Sequence, residues 1–155
     1  MIDKLRLTIF FLLLSISLLS RCQGVEEDKF KIVDNHIQND VLEDIILTYK
    51  DVYGELPSNL NDLIKLYKEG NQSFGFDSAS ISNYIIDPFS DKPLRYYKLS
   101  SASFIVYSVG PDGLDDNSEK INRFKGGGLE NLDFTSLDSN TPPKGDILIY
   151  YHVEK

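Results

Sequence analysis

Three aspartates close together, and a distant fourth, are the residues of this sequence with the clearest potential for chemistry. Asp112, Asp115 and Asp116 directly follow the apolar run 104–109, and Asp146 stands just before another apolar run. Ca²⁺ takes about six to eight oxygen ligands from carboxylates, backbone carbonyls and water. If the two apolar runs form neighbouring strands, Asp146 approaches the acidic turn and a metal ion could tie the two together.

A solvated acidic turn explains the same residues without a metal ion. Asp and Gly are common turn residues, and Gly110 and Gly113 punctuate this stretch. The EF-hand calcium loop is excluded, because Leu114 stands where that pattern requires its second ligand. The residues alone therefore leave calcium and plain hydration open.

Clustered carboxylates also suggest hydrolysis, since a pair of them can act as general acid and base. However, His36 and His152 lie far from the acidic turn in sequence, and no nucleophile–base pair is recognisable. We expect His36 to be solvated or partly packed, not a ligand, and His152 to lie on a sheet surface. A hydrolase is thus the third choice, and we expect no catalysis.

Length and charge restrict the function further. The chain has 155 residues, enough for one domain, and a formal net charge of −8. This charge disfavours nucleic acid and anionic lipid headgroups as partners and is compatible with binding cations.

The N-terminus is typical of an export signal. Residues 7–19 are continuously apolar and follow Lys4 and Arg6, so residues 1–21 are predicted to be a secretory signal peptide. An uncleaved membrane anchor or a buried helix is the alternative.

The single cysteine, Cys22, follows this run at a position that resembles the lipidation site of bacterial lipoproteins, although Arg21 is unusual before such a site. We expect Cys22 to be lipidated and residues 22–29 to form a tether. Cleavage without lipid, or retention of the segment as a membrane span, remains the alternative. The expected location is the cell envelope, with the membrane bound through the lipid anchor. Because Gln23 follows the cysteine, resemblance to Gram-negative lipoproteins favours the outer membrane.

A long helix is predicted over residues 28–53, where apolar residues recur at intervals of three and four. They form one stripe: Phe30, Val33, Ile37, Val41, Ile45, Tyr49 and Val52. Gly54 ends this helix, and a second, short helix follows Pro57. Residues 70–86 are rich in Gly, Ser and Asn and are predicted to be a loop.

Strands follow the helices. Alternating residues predict a hairpin of residues 94–100 and 104–109 and a last strand over 146–153. The alternation places Ile147, Ile149, Tyr151 and Val153 on one face, and Leu148, Tyr150 and His152 on the other. The predicted class is α+β: a long N-terminal helix packed on a small antiparallel sheet, with a long loop (110–145) before the last strand.

Four short motifs occur in a recognisable order. They are YKDVYGELPSNLNDL at 49–63, DPFSDKPLRY at 87–96, YSVGPDGLDD at 107–116 and GDI at 145–147. Together they resemble the C-terminal globular domain of the type II secretion major pseudopilins, the G family. The resemblance implies a pilin-like domain over residues 30–155, although 117–144 has no clear counterpart.

The resemblance also implies a calcium ion in the loop before the last strand. Matched position by position, it implies that Val109 supplies a backbone carbonyl and that Asp112 and Asp146 supply carboxylates. Asp115 and Asp116 have no secure counterpart and are candidate ligands by proximity only.

The N-terminus departs from the pattern of that family. Pseudopilins carry a prepilin signal with Gly before the cleavage point, Phe after it and Glu at the fifth mature position, and this sequence has no such motif. A lipidated Cys22 would also leave no hydrophobic span to drive fibre assembly. We therefore do not expect this protein to be the main subunit of a fibre.

The sequence thus predicts an exported, membrane-anchored, non-catalytic module with a calcium-stabilised pseudopilin-like domain and a structural or binding role. A minor pseudopilin of a type II secretion system or pilus is the alternative. An envelope or secretion protein is a possible partner, and nucleic acid is not expected.

Overall fold

The computed structural model of the protein describes residues 27–37, 40–68, 78–122, 132–135 and 145–153. The predicted signal peptide and Cys22 lie outside these residues. Contacts divide the chain into two units, Met1–Ile32 and Val33–Lys155. In the first unit residues 27–32 are helical, including residues 27–29, which were predicted to belong to the tether.

The single long helix predicted over residues 28–53 is not confirmed. Residues 27–37 form helix α1, and Val41–Tyr53 form helix α2. Between them Asp40 has a φ of 50°, a left-handed conformation that ends the regular helical path. Asp visits this conformation more readily than most residues because its short polar side chain can hydrogen-bond locally.

Helix α2 lies within the predicted helical stretch and ends where the glycine predicts it, but the predicted stripe is only partly correct: Ile45 is buried, whereas Val52 is 44% exposed. Leu42, Ile45 and Ile46 are buried at intervals of three and one, so one side of the helix faces the core. Gly54 adopts a φ of 78° and donates its backbone N–H to the carbonyl of Lys50 at 2.7 Å. This closes the last turn, as expected for a glycine after a helix.

Two short helical segments connect α2 to the sheet. The predicted helix after Pro57 is a 3₁₀ turn, Leu60–Asp62, continued by helix α3, Leu63–Lys68. The prediction of a loop over residues 70–86 is wrong in its second half, where Ser78–Ile85 form helix α4. Ile81 and Ile85 lie one helical turn apart and are both buried, which explains why this polar segment is helical.

The sheet has three antiparallel strands in the order β1-β2-β3. Strand β1 is Arg95–Lys98, β2 is Phe104–Ser108 and β3 is Ile147–His152. The predicted hairpin is β1 and β2, and the predicted last strand is β3. The α+β class with a small antiparallel sheet is therefore confirmed.

A β-bulge changes the faces of β3 from those predicted. Val106 lies opposite Tyr150, but the next residue, Tyr107, lies opposite Leu148, so Ile149 has no single partner. Simple alternation had placed Leu148 and Tyr150 on the same face, and the bulge places them on opposite faces.

The middle strand β2 is buried on both faces, but by different parts of the chain. One face of the sheet carries Phe104 and Val106 of β2 and their β3 partners His152 and Tyr150. There Tyr150 donates a hydrogen bond to the backbone carbonyl of His36, and His152 Nδ1 lies 2.7 Å from Glu43 Oε1 of α2. His152 thus faces helix α2. The prediction that it lies on a free sheet surface is wrong. On the other face Ile105 and Tyr107 pack with Ile121 and Leu132.

The segment between β2 and β3 therefore supplies the second half of the core. It was predicted to be a loop, yet it contains helix α5, Ser118–Asn122, whose Ile121 is buried. Leu132 and its partly buried neighbour Phe134 complete this cluster. Since apolar burial is the main favourable term in folding, this segment contributes to the stability of the domain.

Candidate functional site

The acidic turn begins where β2 ends. Gly110 and Gly113 have φ values of 66° and 68°, and Gly113 donates its N–H to the Gly110 carbonyl at 3.2 Å. Glycine adopts such left-handed values without steric cost, so the chain can reverse sharply here. Asp112 lies within this turn, and Asp115 and Asp116 follow it.

The end of β2 and the start of β3 lie in contact. A Cβ atom built on Gly110 would stand 2.0 Å from the carbonyl oxygen of Gly145. Such a distance is far below van der Waals contact, so only glycine fits at position 110. The structure thus brings the acidic turn next to Asp146, the arrangement that the sequence made conditional on neighbouring strands.

Asp146 is the most unusual carboxylate of the turn region. It is 0% exposed, and its Oδ2 accepts hydrogen bonds from the backbone N–H and the side-chain amide of Asn117, both at 2.9 Å. Its second oxygen, Oδ1, is buried without a hydrogen-bond partner. A buried polar atom of this kind carries a desolvation cost that nothing offsets.

Burial is also the main reason why the pKa of Asp146 is raised to about 6. The hydrogen bonds from Asn117 oppose this effect, and the negative charges of Asp115 and Asp116 add to it. Near neutral pH the carboxylate is thus held ionised against both its burial and its neighbours, a situation that a cation would relieve.

Asp116 lies beside the contact between Gly110 and Gly145, which we call the junction of β2 and β3. Its Oδ2 is 3.2 Å from the position that a Cβ atom on Gly145 would occupy, and its side chain is exposed. Asp116 therefore reaches the start of β3 from the solvent side, close to the residue before Asp146.

Asp115 is already engaged by protein groups. Its Oδ2 accepts a hydrogen bond from Arg95 Nε at 2.6 Å, and its Oδ1 accepts bonds from the Tyr107 hydroxyl at 2.7 Å and from the N–H of Ser118 at 3.1 Å. Burial, and then the bond to Asp115, raise the pKa of the Tyr107 hydroxyl, so this group remains a donor. Asp115 joins β1, β2 and the start of α5.

The other two candidates have simpler surroundings. Asp112 is exposed, and its Oδ1 accepts a hydrogen bond from the N–H of Leu114 at 3.0 Å, a local turn contact. Val109 is buried, and its N–H donates to Asp87 Oδ2 at 3.0 Å.

Asp87 is a site residue that sequence reasoning missed. It is 1% exposed, and its Oδ1 accepts hydrogen bonds from Ser108 Oγ at 2.9 Å and from the N–H of Phe89 at 3.0 Å. Together with the bond from Val109, these contacts fix the backbone where β2 enters the turn. The signal was present in the motif at 87–96, but its contact with β2 is tertiary.

Asn117 is the second missed residue. It is fully buried, and besides holding Asp146 it donates its side-chain amide to the Asp133 carbonyl at 2.7 Å and accepts the Asp133 N–H at 2.9 Å. Thr135 in turn donates its N–H to the Asp146 carbonyl at 2.9 Å. These bonds attach the segment 132–135 to the junction.

The residues present fit a calcium ion in part. Within the described ranges, no three or more His, Cys, Asp or Glu side chains are grouped in a way that could hold a metal ion. Calcium also takes carbonyl and water oxygens. The unpartnered Asp146 Oδ1 and the adjacent Asp116 carboxylate suit such a site, whereas Asp115 suits it less because both its oxygens are bonded.

A groove of about 360 Å³ lies elsewhere, beside β1, and is lined by residues 59–61 and 93–97. None of the candidate aspartates lines it. The groove therefore offers those carboxylates no substrate pocket.

Helix α1 also carries a buried titratable group, His36. His36 is 5% exposed, its two ring nitrogens have no hydrogen-bond partner, and its ring packs edge-on against Tyr84 at 5.3 Å between centroids. Burial lowers its pKa. The expectation that His36 is solvated or partly packed was therefore wrong.

Comparisons with known proteins add no identification: no family model matches the chain, no curated protein matches it, and no solved structure matches it. Within the described ranges, no helix combines the length and apolar character that crossing a membrane requires.

Proposed function

We propose that this protein is an exported, membrane-anchored module without catalytic activity, and that a calcium ion stabilises its pseudopilin-like domain at the junction of β2 and β3. The observation that carries the proposal is the buried, unpartnered Oδ1 of Asp146 beside the acidic turn. A divalent cation would offset the cost of burying that charge.

The ligands would come from both sides of the junction. Asp146 and Asp116 would supply carboxylates from positions that meet at Gly145. The resemblance to the G family adds the carbonyl of Val109 and the carboxylate of Asp112. A bound ion would tie the start of β3 to the turn, and with it the segment whose Ile121 and Leu132 fill one face of the sheet.

Thermal unfolding of the purified protein, with calcium and with a chelator, tests the metal. We expect calcium to raise the melting temperature of the wild type and to have no effect on Asp146→Asn. Asp51→Asn, which removes an exposed carboxylate from α2, is the matched control and should respond like the wild type. Equal melting of the wild type in calcium and chelator would remove calcium from the proposal.

The anchoring part of the proposal rests on the sequence of residues 1–22. Mass spectrometry of the N-terminus of the protein purified from its own membranes tests it. A diacylglyceryl group on Cys22 supports the lipid anchor, whereas an intact or N-methylated apolar segment supports the minor pseudopilin instead.

A further inference from the structure

Arg95 provides a positive charge inside the acidic turn region. It lies in β1, and its Nε is 2.6 Å from Asp115 Oδ2, with side chains that are 31% and 21% exposed, respectively. The pair is therefore partly shielded from water, and its interaction is screened less than that of a surface ion pair.

The charge of Asp115, the partner of Arg95, affects the proposed calcium site. The charge of Asp115 acts on Asp146, together with that of Asp116. Arg95 neutralises one of these charges and occupies one oxygen of Asp115, while Tyr107 and Ser118 occupy the other.

We propose that Arg95, by forming an ion pair with Asp115, prevents this carboxylate from binding calcium and thereby limits the affinity of the junction for calcium. The inference rests on the proposed function and goes beyond it, because it assigns the affinity to a residue of β1 that is not a ligand. The physical reason is that calcium affinity depends on how much ligand charge a site presents and on the rigidity of the site.

The test is a double-mutant cycle with calcium binding measured by calorimetry at fixed ionic strength. Arg95→Gln leaves Asp115 negative and unpaired, so we expect calcium to bind about three- to tenfold more tightly than in the wild type. Asp115→Asn leaves Arg95 positive and unpaired, so we expect weaker binding by a similar factor. The double variant removes both charges of the pair and leaves the net charge of the region unchanged, so we expect affinity close to that of the wild type.

The double variant carries the decision, because it leaves no unpaired charge and is the least prone to misfold. If Asp115 is instead a direct calcium ligand, the double variant binds as weakly as Asp115→Asn, and the inference is overturned. Lys98→Gln removes another cation from β1, one whose Nζ lies 3.9 Å from Glu55, and controls for net charge. A gain in Lys98→Gln equal to that in Arg95→Gln would also overturn the inference.

The failure of this inference can be told from the failure of the proposed function. If the wild type does not bind calcium but Arg95→Gln does, Arg95 has the proposed role and the wild-type calcium site is refuted. If no variant binds calcium, both are refuted. Stability in chelator gives an independent readout: Arg95→Gln should melt below the wild type, and calcium should restore it.

Discussion

Replacing Asp146 by Asn should change how the stability of the metal-free protein depends on pH. The folded-state pKa of Asp146 is raised from 3.8 to about 6, chiefly by burial. A difference of about two pKa units corresponds to about 3 kcal/mol of unfolding free energy, as an order of magnitude. This energy is what ionising the buried carboxylate costs the fold.

The sign of the effect follows from which state binds the proton. Below about pH 4 the carboxyl is protonated in both states, and its contribution to stability is fully present. Between about pH 4 and 6 the unfolded chain ionises first, so the stability of the wild type falls, and above pH 6 the loss is complete. The asparagine of the variant has no charge to titrate, and its unpartnered amide lowers stability equally at every pH.

The assay is urea unfolding in chelator at several pH values between 4.5 and 7.5, with the stability of the variant subtracted from that of the wild type. Taking this difference cancels the titration of the groups that do not interact with Asp146. We expect the difference to fall by about 2 kcal/mol over this range, because about a third of the total loss has already occurred at pH 4.5. A constant difference for Asp146→Asn, or one that rises with pH, would refute the reasoning, because it would mean that the ionised carboxylate has a partner in the fold.

Three further predictions concern residues around the junction and the helices. Gly110→Ala should destabilise the protein by about 3 kcal/mol or more in urea unfolding, because its Cβ would collide with the Gly145 carbonyl. Gly113→Ala has a similar φ but open space around its Cβ, so it should cost only about 1 kcal/mol, and equal losses in the two variants would argue against the contact. Asp87→Ala should cost about 3 kcal/mol by the same measurement, because it leaves three donors unpaired, and Asp87→Asn should recover part of the loss; an unchanged midpoint in Asp87→Ala would count against this role. Burial lowers the pKa of His36, so its contribution to stability is present above about pH 6.5 and declines as the pH falls below that value. His36→Leu should lack this decline in urea unfolding, and parallel pH profiles for the two proteins would contradict the prediction.

Local chemistry explains which elements the sequence predicts correctly. The end of α2 could be predicted because Gly54 supplies a left-handed residue where a helix ends. Strands β1 and β2 could be predicted because their residues alternate, and the last strand because its residues are strand formers. Helix α4 was missed because its Ser and Asn residues resemble a loop, although Ile81 and Ile85 have helical spacing. Asp40 ends the regular path of the long predicted helix; one Asp inside a periodic apolar pattern is too weak a signal to predict such a break, although Asp favours caps and turns.

Sequence reasoning selected the candidate aspartates, but it missed Asp87 and Asn117 and the contacts that these two residues make. The proximity of Asp146 to the acidic turn could be predicted, because antiparallel neighbours bring the end of one strand to the start of the next. The roles of Arg95 and Asn117 could not, since they depend on contacts between residues about 20 to 30 positions apart, for which a single sequence gives no signal. These contacts also explain why both carboxylate oxygens of Asp115 have hydrogen-bond partners, whereas Asp146 Oδ1 has none.

The bulge at Ile149 also protects the pairing of β3. A regular strand can slide by two residues and still present the same faces, but this strand changes phase in its middle. A shift of β3 along β2 would therefore keep the correct faces on one side of the bulge only. On the other side, Leu148 or Tyr150 would point to the opposite face of the sheet. The extra residue thus makes misaligned pairings of the last strand unfavourable, and Asp146 keeps a single position relative to the acidic turn.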